Sequence, residues 1–357
     1  MPRLAKRQAV VTLSPVGRAV LGDYVHRVAV ASGGTRFAAC SASGQVAVWE
    51  VASLKPVCEL KGHQQSALGL SWHPTRQELA TGGQDGLVRI WNTDTGEERA
   101  VLSLGTKGAW VEHLAWSPDG QFLAASAGKI LRIWSIDPGS PPQLAAEVPA
   151  YMTTISGLSW MPRGGGVVAS AYGGAWLWKI GKEKPVRSFP YDGALLTIAV
   201  SPSGEYLASG NLDGSVHLFR TDSDQNWHMS GYPVKVTSVR FDYNGLNLFT
   251  ASGPSLVAWN MKKFEGTGGR LFKGHLGWIQ EIACHPSRSI MATVGEDGLL
   301  CLWSPQTTKP LLSQEVNKAG GLSCVAWGST DNNVWLVTGA SDGVVSLFSV
   351  HGLEDQA

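Results

Sequence analysis

Short apolar runs ending in an aromatic residue recur along the whole chain. They read Val46-Ala47-Val48-Trp49, Val88-Arg89-Ile90-Trp91, Leu131-Arg132-Ile133-Trp134, Ala175-Trp176-Leu177-Trp178, Val216-His217-Leu218-Phe219, Leu256-Val257-Ala258-Trp259, Leu300-Cys301-Leu302-Trp303 and Val345-Ser346-Leu347-Phe348. The aromatics lie 42, 43, 44, 41, 40, 44 and 45 residues apart, and self-similarity at such a period marks a repeat architecture. Two more strand-like runs precede each aromatic, as in Leu68-Gly69-Leu70-Ser71-Trp72 followed by Glu78-Leu79-Ala80-Thr81-Gly82. Turn sequences such as Ser117-Pro118-Asp119-Gly120, Ser201-Pro202-Ser203-Gly204 and Asp85-Gly86 separate them, the punctuation of antiparallel hairpins.

A fourth strand-like run follows each aromatic, from Val57 to Leu60 in the first copy through Leu311 to Val316 in the seventh. After Phe348 only nine residues remain, whereas an unassigned run, Ala9 to Ser14, lies before the first copy. The pattern therefore predicts an all-β chain in one domain over residues 1–357. It is an eight-bladed β-propeller of four-stranded antiparallel blades, in which the strand at 9–14 completes the last blade at about 320–350 and closes the ring.

Composition fits that reading. Charged residues are 16% of the chain, and 43 glycines and 15 tryptophans supply turns and a repeated aromatic position. A net charge of +1 gives no global field for nucleic acid or an anionic membrane, and no apolar run is long enough for a membrane span. The short, polar segment after Met1 lacks a signal-peptide core. Cys40, Cys58, Cys284, Cys301 and Cys324 are odd in number and have no paired spacing, which favours a reducing compartment and a cytoplasmic location.

Two copies carry a further pattern. Gly62-His63, Thr81, Asp85 and Trp91 recur as Gly274-His275, Thr293, Asp297 and Trp303, with 22 residues from His to Asp and 6 from Asp to Trp in both. On these residues the chain resembles the WD-repeat family of β-propellers. The resemblance implies a buried tetrad in which Asp accepts from the His ring and the hydroxyl and indole extend the network. No copy has a literal Trp-Asp pair, and Asp213 and Asp342 keep the turn aspartate without Trp or the preceding His. Ser43, Gly128, Tyr172 and Gly253 occupy that position elsewhere, so four blades are expected to hold their turns by packing and backbone pairing alone.

The same resemblance places the loops entering the inner strands on the top face. Tyr24, Trp110, Lys235 and Trp278 fall there, with Gln84 and Glu296 beside the turn aspartates, and aromatics with basic residues are the usual anchors of an interface. His26, Arg27, Glu112, His113 and Glu281 fall on or beside one level of the inner strands and are candidate channel residues. His73 and His285 precede proline in strand-end turns, a structural slot. No metal spacing, nucleophile elbow or phosphate loop opening a helix occurs. The expected function is a non-catalytic scaffold that binds a protein or peptide through its top face, without cofactor or metal, monomeric, and without nucleic-acid or membrane partners. The alternative is a small-ligand or metal-handling accessory protein that uses the channel.

Overall fold

The computed structural model describes residues 10–105, 108–148, 151, 153–265, 267–330 and 333–353. Apart from one 3-10 turn at Pro162–Gly164, every regular element described is a β-strand, and all pairings are antiparallel. The first repeat shows the plan: Val25–Val30, Arg36–Ser41, Val46–Glu50 and Pro56–Leu60 pair in chain order, and the inner strand lies nearest the axis. Each second strand is almost wholly buried, as in Phe37-Ala38-Ala39-Cys40, because both of its faces meet a neighbouring repeat.

The structure has seven blades, not the expected eight. The strands form seven hydrogen-bonded sheets, six of four strands and one of six. The fourth and fifth repeats share the six-stranded sheet because Arg187–Val200 runs unbroken from the outer strand of one to the inner strand of the other. Tyr172 pairs with Ala194 across this join, while Ala175–Leu177 pairs with Arg187–Phe189 and Ile198–Val200 with Leu207–Ser209. Gly174, at φ +140°, makes the approach possible: a Cβ there would lie 2.3 Å from Phe189 O. The sheet nevertheless turns back on itself, since Val168, Leu177 and Phe189 pack in one core with Leu195, Leu207 and Phe219.

The remaining cores likewise lie between neighbouring repeats, for example Phe249, Phe272, Ile282 and Trp303 between the sixth and seventh. Closure is made by Thr12–Val20, which pairs with Val344–His351 at the outer edge of the last sheet. That strand starts later and runs longer than the expected Ala9 to Ser14, and Ala9 lies outside the described residues. Its outward position accommodates Pro15, which has no N–H to donate, at a register shift between Pro15 and Gly17. Leu21 N–H then bonds Gly343 O at 2.9 Å, tying the two ends of the chain together.

Candidate functional site

The two complete tetrads are hydrogen-bonded chains. Trp91 Nε1–H donates to Thr81 Oγ1 (3.0 Å), Thr81 lies 2.8 Å from His63 Nε2, and His63 Nδ1 lies 3.0 Å from both Asp85 oxygens. The seventh repeat repeats this with Trp303, Thr293, His275 and Asp297 at 2.8, 2.7 and 3.1 Å. One direction satisfies every group: indole to hydroxyl, hydroxyl to Nε2, Nδ1–H to carboxylate. Burial pushes both carboxyls up, but hydrogen bonds from the histidines and from backbone N–H groups outweigh it and leave Asp85 and Asp297 below the ordinary range. The Asp297 carboxylate also accepts from Leu276 N and Gly277 N, which fixes the loop leading to Trp278.

In two of the four repeats without a turn aspartate a tyrosine, where others have histidine, satisfies the tryptophan, and at the first repeat's turn Ser41 Oγ lies 2.8 Å from Ser43 Oγ, so packing and backbone pairing do not act alone there. Trp259 Nε1–H donates to Tyr232 Oη at 2.8 Å, and Tyr232 Oη lies 2.7 Å from Thr250 Oγ1. Trp178 Nε1–H donates to Tyr151 Oη at 2.6 Å. In the fifth repeat, Tyr191 Oη bonds Asp213 Oδ2 at 2.5 Å, and the two are 22 residues apart, the same interval as His63 to Asp85. Asp342 receives Asn317 Nδ2–H at 3.1 Å. Sequence reasoning missed these groups because it sought an imidazole; for Tyr191 and Tyr232 the signal available was a phenol at the interval that His63 keeps from Asp85 or from Thr81.

A second recurrent contact joins adjacent repeats. The indole N–H groups of Trp72, Trp116, Trp160 and Trp327 donate to Ala29 O, Ser71 O, Ala115 O and Ala283 O at 3.1, 3.2, 2.9 and 2.9 Å. Each acceptor is on the inner strand of the preceding repeat. His73 Nε2 similarly meets Gly120 O at 3.1 Å in the following repeat.

The loops entering the inner strands and the second-to-third strand turns lie on one face, tied by Ala42 N–H to Tyr24 O, Gln84 N–H to Ser66 O and Glu296 N–H to Trp278 O at 2.9, 2.9 and 3.0 Å. Of the residues predicted there, Trp110 is 51% exposed and Trp278 38%. Lys235 Nζ stands 5.8 Å over the Trp278 ring, and Glu296 accepts from Gln280 Nε2 at 2.9 Å. Val111 N–H bonds Gly83 O at 3.0 Å, so the Trp110 loop lies beside Gln84. Tyr24 is half-buried, its ring 5.1 Å from that of His26. Sequence reasoning passed over Leu276, which is 90% exposed two residues before Trp278.

On the inner strands, Glu281 is the centre of a charge cluster. Its Oε1 lies 3.6 Å from Arg27 Nη1 and 3.9 Å from Arg240 Nη2, and its Oε2 accepts from Val325 N at 3.0 Å. Arg240 was not predicted, although it is two residues beyond Ser238 and so on the same side of its strand. Burial, assisted by Arg27, lowers the His113 pKa to about 4, so this imidazole is neutral at pH 7. Glu112 is exposed. Aligning the repeats puts Gly69, Gly157, Ser238 and Cys324 at the level of Arg27, His113 and Glu281, and these four are buried, so that level is only partly a channel wall. Among the described residues no group of three or more His, Cys, Asp or Glu side chains could hold a metal ion. No helix among them is long and apolar enough to cross a membrane.

The WD domain, G-beta repeat family model matches residues 54–92, 98–135, 183–220 and 266–304. Apoptotic protease-activating factor 1 of Homo sapiens is 36% identical over 115 residues, which are 30% of this chain and 9% of that protein. The Dictyostelium discoideum periodic tryptophan protein 2 homolog is 23% identical over 231 residues, 52% of this chain and 25% of that protein. The chain thus spans a quarter or less of the length of these relatives. Among solved structures, the computationally designed Ika8 protein superposes with a TM-score of 0.76 at 21% identity, covering 92% of this chain and 97% of that one, a likeness of fold. With these matches and the His63 and His275 tetrads in place, the chain is a β-propeller that carries WD repeats at residues 54–92, 98–135, 183–220 and 266–304.

Proposed function

We propose that this WD-repeat propeller is a rigid platform that binds a protein or peptide through the face carrying Trp110, Lys235 and Trp278, with Tyr24, Gln84 and Glu296 contributing around it. Propellers of this family typically serve as protein-interaction scaffolds, and the finer assignment rests on this chain's own surface. The observation that carries it is the exposed Trp278 ring beneath Lys235 Nζ. A large aromatic left in water, with a cation over one face and the exposed Leu276 beside it, supplies the anchor chemistry that dominates interfaces. The loop that presents it is fixed from below by the Asp297 carboxylate, so little ordering entropy opposes binding.

No catalytic constellation accompanies these residues, and the reading is of a binding protein rather than an enzyme. The five unpaired cysteines support placing it in a reducing compartment such as the cytoplasm. The test is a capture experiment with Trp110→Ala, Lys235→Ala and Trp278→Ala combined, in protein whose thermal unfolding matches the wild type. Loss of the bound partner is the expected result.

A further inference from the structure

We propose that the axial wall formed by the first, sixth and seventh repeats is an oxyanion-binding site, in which Arg27 and Arg240 together clamp one carboxylate or phosphate group of a small ligand. This site uses none of the residues assigned to the face above.

The charge inventory points that way. Two guanidinium groups face a single carboxylate, and they share its Oε1 at 3.6 and 3.9 Å. Both separations exceed the roughly 2.8 Å of a charge-assisted hydrogen bond. The other carboxylate oxygen is already engaged by Val325 N. Among the described residues, the Arg27 guanidinium makes no other polar contact, and Arg240 adds only Nη1–H to Val239 O at 2.9 Å. An arginine offers five donors, so most of the hydrogen-bonding capacity of this pair is unused.

Exposure separates the partners in the same sense. The Arg27 and Arg240 side chains are 47% and 40% exposed, whereas that of Glu281 is 15% exposed. The carboxylate is withdrawn against the backbone and the cations face the water, so an approaching ligand meets net positive charge. The neutral His113 beside Arg27 adds no charge to cancel or extend it.

Geometry sets the class of ligand. The two guanidinium nitrogens are no farther apart than their two distances to the shared oxygen taken together. Two N–H···O contacts of about 2.8 Å, together with the separation of two oxygens in one carboxylate or phosphate, reach at least that far, so one oxyanion can engage both guanidinium groups.

The test is isothermal titration of the purified chain with inorganic phosphate and, separately, with acetate, in chloride buffer of matched ionic strength. Wild type is compared with Arg27→Gln, Arg240→Gln and Glu281→Gln. The expected result is that wild type binds at least one of the two anions and that each arginine variant weakens it by about tenfold or more. Glu281→Gln should tighten binding, because it removes the competing charge while its carbonyl still accepts from Val325 N. Phosphate bound in preference to acetate identifies a phosphorylated ligand, and the reverse a carboxylate. Absence of binding of both anions by wild type, or equal affinity across the four proteins, overturns the site. Should an arginine variant unfold, Glu281→Gln alone decides, since a cluster that serves only as an internal ion pair gives no tightening.

Discussion

Tyr232 takes the indole N–H of Trp259 directly at 2.8 Å and bonds Thr250 Oγ1 at 2.7 Å, whereas in the second repeat Trp91 donates to Thr81 and His63 lies between Thr81 and Asp85. Histidine carries the network on to a turn carboxylate; tyrosine ends it at the threonine, whose hydroxyl reaches Val257 O at 3.3 Å. The sixth repeat therefore keeps its tryptophan satisfied without a turn aspartate.

Tyr232→Phe should destabilise the fold by about 1–3 kcal/mol, because it leaves the Trp259 indole N–H without its acceptor and removes one partner of the buried Thr250 hydroxyl while leaving the packing intact. Equilibrium urea unfolding measures this. His275→Ala should fall in or above the same range, since it also removes volume and frees the Asp297 carboxylate. An unchanged midpoint for Tyr232→Phe would mean that the phenol only fills space.

Trp327→Phe tests the contact between repeats. The indole is 8% exposed and its N–H reaches Ala283 O at 2.9 Å. A loss of about 1–2 kcal/mol is expected from the hydrogen bond, and about 3–5 kcal/mol for Trp327→Ala, where a cavity is added. Both are read as shifts in the thermal midpoint.

Stability should also decline on acidification in two stages. Burial, with Arg288 adding to it, pushes the His285 pKa down to about 4. A folded value below the unfolded one, near 6.5, means that the unfolded chain takes up the proton first. This contribution is complete above pH 6.5 and is lost as pH falls toward 4. The lowered carboxyls of Asp85 and Asp297 act further down: their contribution is present above the unfolded value near 4 and disappears as pH falls through the folded values. Urea midpoints measured from pH 8 to 3 should show both stages. His285→Gln should flatten part of the upper one, the similarly lowered His113 supplying another part, and Asp297→Asn part of the lower one.

Much of this was legible in the sequence because it is periodic. The aromatic ending each third strand, the turn residues and the two His–Asp intervals each recur, and recurrence lets one copy interpret another. The count of sheets was not legible, because the union of the fourth and fifth repeats depends on one backbone bridge, Tyr172 to Ala194, and on the conformation of Gly174. The Arg240 contact was equally hidden: it arises between side chains of the sixth and seventh repeats, and its partner Glu281 aligns with Arg27 rather than with Arg240. The exposure of Trp278, by contrast, could be expected from its place in the loop before Ile279, although nothing in the sequence put Lys235 over its ring.

The central claim, that the face around Trp278 binds a protein or peptide, is tested most directly by native affinity capture with wild-type chain and with the Trp110→Ala, Lys235→Ala, Trp278→Ala triple variant at equal folded concentration. The account predicts a protein retained by wild type and lost from the variant. Recovery of the same proteins in the same amounts by both would contradict it.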